Sequence, residues 1–87
     1  MGLKYVVDDE QFMVEVATTQ PNGRTDTHRL GPFAKVSAAK GAATKHEDDM
    51  ERTHQYFDSA IRTWVAPVLN HERRYYSTEI NWKEIDV

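Results

Sequence analysis

From residue 11 to residue 19, Phe12, Val14 and Val16 alternate with Met13, Glu15 and Ala17, the two-residue period of a strand that buries one face. Residues 4–7 (Lys4, Tyr5, Val6, Val7) are expected to begin that strand or to form a short one of their own. Gln20-Pro21-Asn22-Gly23-Arg24 follows; Pro21 presets its own φ and Asn22-Gly23 tolerates positive φ, so the chain is expected to turn back in a hairpin. The return strand, residues 25–30, places Thr25, Thr27 and Arg29 on one face and Asp26, His28 and Leu30 on the other. So polar a strand belongs at a sheet edge or under half a cover. Gly31-Pro32 is expected to stop it, with Phe33 packing beneath what comes next.

Val36, Ala39, Ala43, His46, Met50, Thr53, Phe57 and Ala60 recur at spacings of three and four, one helical stripe that would cover the sheet. Gly41 costs about 1 kcal/mol relative to alanine inside a helix, and Thr44-Lys45-His46-Glu47 reads as a capping box. Two helices broken near residues 41–44 are therefore the alternative, but the unbroken stripe favours one helix over about residues 36–60. Beyond it, Ile61, Thr63 and Val65 alternate with Arg62, Trp64 and Ala66, and Tyr76, Thr78, Ile80 and Trp82 alternate with Tyr75, Ser77, Glu79 and Asn81. These are expected to pair as a second hairpin across the loop 67–72. The pattern predicts a single α+β domain over residues 1–87: two antiparallel β-hairpins around a central helix (ββαββ), with the helix packed on one sheet face.

A chain of 87 residues buries only about 60–65% of the surface it exposes when unfolded, so one modest core is expected. There is no cysteine, hence neither a disulfide staple nor a thiolate zinc site, which points to a cytoplasmic setting or to self-association. The apolar run before Asp8 and Asp9 is too short for a signal peptide, and no segment has the apolar length that spans a bilayer, so neither export nor a membrane partner is expected. The formal net charge of -3 conceals segregation. Residues 24–46 carry Arg24, Arg29, Lys35, Lys40 and Lys45 against Asp26 alone, whereas residues 47–58 carry Glu47, Asp48, Asp49, Glu51 and Asp58 against Arg52. Such a chain can pair its own patches or offer one to a partner.

Candidate chemistry is thin. His46, Met50, His54 and Asp58 stack at four-residue spacing on one side of a helix, but two histidines eight residues apart do not converge on one ion. A local His54–Asp58 pair is expected instead, and no metal or cofactor. Most of the acidic run should face water, so acid–base catalysis lacks the apolar cleft that separates carboxyl pKa values. Serine-nucleophile and glycine-rich phosphate motifs are absent, and no catalytic residue is expected. Two binding surfaces remain. One, for an unknown protein partner or a second copy of the chain, uses the acidic helix face Glu47, Asp48 and Glu51 and the aromatics Trp64, Tyr75 and Trp82. The other, for nucleic acid, uses Arg24, Arg29, Lys35, Lys40, Arg73 and Arg74, the last two beside rings able to stack on bases. An acidic segment adjoining the basic one disfavours a long phosphate backbone.

The stretch Leu30-Gly31-Pro32-Phe33-Ala34-Lys35-Val36-Ser37-Ala38-Ala39-Lys40, a polar strand, then Gly-Pro-Phe, then an alanine-rich helix, resembles short Ala-rich orphan proteins of actinobacterial phages. It is also similar, over about a third of the chain, to the sheet-to-helix junction of arm-type DNA-binding domains in tyrosine integrases. The first resemblance implies a noncatalytic accessory that modulates a host protein. The second implies a small nucleic-acid-binding regulator, although those domains lead with a basic three-stranded sheet and usually end at the helix.

Overall fold

The first hairpin turns where its residues require it. Gly23 N–H donates to Gln20 O and Gln20 N–H to Arg24 O, both at 2.8 Å, while Asn22 Oδ1 accepts from Arg24 N–H at 2.9 Å. Gly23 takes φ +89°, the left-handed step that lets a tight turn feed twisted strands without a Cβ clash. A computed structural model describes residues 10–87, so the strand expected over residues 4–7 lies outside the described residues. The elements are β1 (Phe12–Thr19), β2 (Thr25–Phe33), α1 (Val36–Thr53), β3 (Tyr56–Asp58), β4 (Thr63–Val65), β5 (Asn70–Ser77), a 3₁₀ turn (Thr78–Ile80) and β6 (Lys83–Ile85). An antiparallel four-stranded sheet has the order β2-β1-β5-β6, and β3 and β4 form a two-stranded sheet of their own.

The class is thus α+β with one helix, but the connectivity departs from ββαββ. Residues 63–65 pair back with 56–58, and β5 pairs with β1, making β1 a central strand; the second hairpin expected from the alternation does not form. β2 lies at the sheet edge, as its polar faces predict, and it runs through Gly31-Pro32 instead of stopping there. An edge position tolerates a residue without N–H. The register slips by one residue between Val14↔Leu30 and Phe12↔Phe33. Gly31 sits in that bulge at φ +127°, where a Cβ would stand 3.0 Å from Phe12 O and 3.2 Å from the Phe33 ring.

The core lies where α1 crosses β1 and β2: Val14 and Val16 of β1, Ala39 and Ala43 of α1 and Tyr75 of β5 are buried, with Leu30, Phe33 and Ile85 packed against them. Two alanines at the contact bring the helix close to the sheet. The helix is single and continuous past Gly41, but ends at Thr53. His54 closes it, its backbone N–H donating to Met50 O at 3.1 Å and its Nδ1 lying 2.8 Å from the same oxygen. Phe57 and Ala60 therefore leave the stripe, and Phe57, expected to face the sheet, stands exposed on β3.

Candidate functional site

Alternation along β5 selects which of its side chains meet α1, and it turns inward Tyr75 and Arg73, both expected on binding surfaces. His71, Arg73 and Tyr75 lie across from Thr18, Val16 and Val14, the inward residues of β1, so Tyr75 is only 8% exposed and Ser77 is buried, while Tyr76 faces the far side of the sheet. Arg73 thereby points under the helix. Its Nε donates to Glu47 Oε2 at 2.7 Å and its Nη2 to Glu47 Oε1 at 2.8 Å, a two-toothed pair in which the carboxylate is 16% exposed and the guanidinium 27%. Nη2 also donates to Thr44 Oγ1 at 3.1 Å and Nη1 to Tyr75 Oη at 3.3 Å. The Arg73 hydrogen bond holds the Glu47 carboxyl below its usual value, and Glu47 in turn raises the pKa of Arg73.

One turn along, Glu51 Oε2 lies 3.1 Å from His71 Nε2, and His71 Nδ1 lies 2.9 Å from Thr18 Oγ1. A neutral imidazole that donates from Nε2 to the carboxylate accepts at Nδ1 from the threonine hydroxyl. The order hydroxyl, imidazole, carboxylate is that of a nucleophilic triad. Thr18, however, is fully buried, so no substrate carbonyl reaches its oxygen, and the chain of bonds ties β1, β5 and α1 together. His46 completes the seam: its ring stands 4.8 Å from that of His28 on β2, and its Nε2 is buried without a hydrogen-bond partner. Burial, then the neighbouring His28 and His71, push the His46 pKa down.

The expected acidic binding face is corrected accordingly. Glu47 and Glu51 turn inward onto Arg73 and His71, leaving Asp48 exposed, and Asp49 is held by Lys45 at 3.3 Å and by Arg52. Of the aromatics, Tyr75 is core, whereas Trp64 is 64% exposed and Trp82 stands partly exposed beyond the 3₁₀ turn. The basic set is dispersed in the same way. Arg73 is locked inside, Arg29 on the far sheet face pairs with Glu15 at 3.0 Å, Arg24 lies 3.5 Å from Asp26, and Lys35 at the start of α1, Lys40 within it and Arg74 on β5 are exposed. The His54–Asp58 pair does not form, since Asp58 Oδ1 accepts from Ala60 N–H at 2.9 Å. Among the described residues no group of three or more histidine, aspartate or glutamate side chains could hold a metal ion. Nor is any helix among them long and apolar enough to cross a membrane.

What does gather is an exposed aromatic pair on one face of β3–β4, Phe57 and Trp64, with Tyr56 on the opposite face. The turn is closed by Arg62 N–H donating to Asp58 O at 2.7 Å, with Arg62 at φ 58°. Phe57 and Trp64 are directly opposite, their rings 5.8 Å apart and edge-on at 73°, an arrangement worth about 0.5–1.5 kcal/mol beyond the area it buries. Even so, Tyr56, Phe57, Ile61 and Trp64 each leave half or more of their surface to solvent. Trp64 was legible as a contact residue; Tyr56 and Phe57 were hidden by a stripe that placed Phe57 on the helix. No protein-family model matches the chain, and no curated protein or solved structure matches it.

Proposed function

We propose that this chain is a noncatalytic protein-binding module that docks through the β3–β4 hairpin. The observation that carries the reading is the exposure of Tyr56, Phe57, Ile61 and Trp64 on a two-stranded sheet separate from the main one. Rings of this kind carry about 150–250 Å² each, so Phe57 and Trp64, side by side on one face of the ribbon and each more than half exposed, present an apolar surface of roughly 200–300 Å² there, while Tyr56 faces the other side. Tyrosine and tryptophan also dominate binding hot spots because they contribute large area at small entropy cost. The occupant this surface suits is an apolar face on another protein, and the resemblance to phage accessories would make that a host protein. Selection from a random peptide library displayed on phage, run in parallel on the wild type and on the double variant Phe57→Ser, Trp64→Ser, tests it. Enrichment of aromatic and aliphatic peptides by the wild type alone is expected. Peptides retained equally by both proteins, or no enrichment, would overturn the reading.

Self-association is favoured by one further observation: Thr63, Trp64 and Val65 give β4 an uncharged strand whose only partner among the described residues is β3. Antiparallel pairing of two β4 strands about Trp64 would set Trp64 against its copy without opposing charges. Sedimentation that stays at the 10.1 kDa of one chain up to high micromolar concentration would eliminate it. The nucleic-acid alternative requires affinity that falls steeply with salt, which an apolar hairpin contact would not show.

A further inference from the structure

We infer that the outer edge of β2 is a homodimer interface. There β2 pairs antiparallel with β2 of a second copy about a two-fold axis at Thr27, joining two four-stranded sheets into one of eight strands. The surface lies on β2 and α1 and stands apart from the β3–β4 hairpin proposed above for docking. Hydrogen-bonded and non-hydrogen-bonded pairs alternate along an antiparallel ladder. Counting from the Gln20 N–H to Arg24 O bond, the backbone groups of Asp26, His28 and Leu30 point toward Thr18, Val16 and Val14 on β1. Those of Thr25, Thr27 and Arg29 point outward, and β2 ends the strand order, so among the described residues no strand meets them. The bulge at Gly31 and the residue Pro32, which blunt an edge, lie beyond this stretch.

An open edge alone does not choose its partner; the side chains of this one do. A two-fold axis sets one residue opposite its own copy and thereby fixes every other pair. Centred on Thr27, it places Asp26 against His28 of the copy and His28 against Asp26 of the copy, two imidazole–carboxylate pairs on the helix face. On the far face Thr25 meets Arg29 of the copy and Thr27 meets itself, so no like charges oppose each other. Centring on Asp26 or Arg29 would oppose like charges, and centring on His28 would set the Asp26 carboxylate against Leu30. Centring on Thr25 would run the pairing into the turn. The helix supports the same arrangement. α1 lies over β1 and β2, about one strand spacing of 4.8 Å from the axis, so α1 and its copy come to about 10 Å, the separation of packed helices. The flank they share carries Ala42, Lys45 and Asp49, which line a groove of about 400 Å³ beside β2. Ala42 is small enough for that approach, and the contact of the His28 and His46 rings puts the axis near this level of α1. Lys45 then meets Asp49 of the copy, extending across the axis an ion pair made within one helix at 3.3 Å.

The chain has no cysteine, so single-cysteine variants of the full chain report the register directly. On the axis, Thr27 and its copy have Cα atoms about 5.5 Å apart, within the reach of a disulfide. Under mild oxidation at high micromolar concentration, Thr27→Cys should form a covalent dimer about tenfold faster than Lys83→Cys on β6 or Trp64→Cys on β4. The wild type should sediment at twice the 10.1 kDa of one chain. Thr27→Pro removes an outward N–H without touching the β1 ladder, so it should keep the circular dichroism spectrum and sediment as a monomer. Should Thr27→Pro not fold, hydrogen exchange on the wild type decides, since the Thr27 amide should exchange fast in dilute protein and about tenfold more slowly at high concentration. Equal cross-linking at all three positions, a wild type that stays monomeric, a folded Thr27→Pro that still dimerises, or Thr27 exchange independent of concentration would each overturn the proposal. Cross-linking of Trp64→Cys alone would overturn it too, while supporting β4 as the surface of self-association.

Discussion

Replacing Arg73 by methionine keeps an unbranched apolar stem and removes the charged guanidinium that joins β5 to α1. Four hydrogen bonds disappear, to both Glu47 oxygens, Thr44 and Tyr75, and the mostly buried Glu47 carboxylate loses its cation. Breaking a fully buried pair costs about 3–5 kcal/mol and an exposed one about 0.2–1 kcal/mol. At 27% and 16% exposure the Arg73–Glu47 pair falls between, and about 2 kcal/mol is expected. For a domain of this size that lowers Tm by roughly 8–16 °C. Glu47→Met alone should cost a similar amount by stranding Arg73. The double variant should recover about 1–2 kcal/mol of the summed losses, because two apolar side chains can fill the seam without an unpaired charge. Urea unfolding of all four proteins, followed by far-UV circular dichroism at neutral pH, closes the cycle. Single losses below about 0.5 kcal/mol with no coupling would show that the pair is effectively solvated and that apolar contacts alone dock the helix.

Gly41→Ala should stabilise the chain by about 0.5–1 kcal/mol, since the position is helical and a Cβ there meets nothing within 4 Å; a lower Tm would contradict the helix placement. Acid should weaken the fold in two stages. The folded pKa of His46 lies below its ordinary 6.5 and that of Glu47 below 4.5, so the unfolded chain binds more protons in both windows. Stability, complete above 6.5, should fall as pH drops through the folded pKa of His46 and fall again below 4.5; His46→Gln should remove the first stage in a series of urea melts. Phe57→Ala, which would cost about 3–5 kcal/mol in a core, should cost about 1 kcal/mol on the exposed β3, and a larger loss in thermal melts would place the ring inside.

Local chemistry carried the legible part of the fold. Asn22-Gly23 dictates its turn whatever surrounds it, and β1 and α1 each repeat one period long enough to identify. The errors arise where the deciding term is distant. The stripe through Phe57 and Ala60 satisfies helical spacing, yet the chain already leaves the helix at His54, whose ring meets Met50 O. Pairing of β5 with β1 spans more than fifty residues of sequence, and no adjacent residue announces it. Because side chains alternate, the face of β5 that carries Tyr75 and Arg73, expected to offer binding surfaces, is the one α1 covers. Glu47 and Glu51 read as solvated acids because their partners lie on that same misassigned strand. The candidate site suffered most, since Trp64 was visible from composition but its neighbour Phe57 became visible only once strand pairing was known.

Ala39 and Ala43 are spacers as well as core residues. Their single methyl groups set the gap between α1 and β1, and that gap is the span which the fixed reach of Arg73 to Glu47 and of His71 to Glu51 has to bridge. Enlarging either alanine would act as a shim, lifting the helix and stretching both polar bridges at once. Core volume and seam chemistry are therefore mechanically geared in this small domain. A variant that thickens one must lengthen the other, and substitutions at positions 39 and 43 should be tolerated only together with changes at 47, 51 or 73.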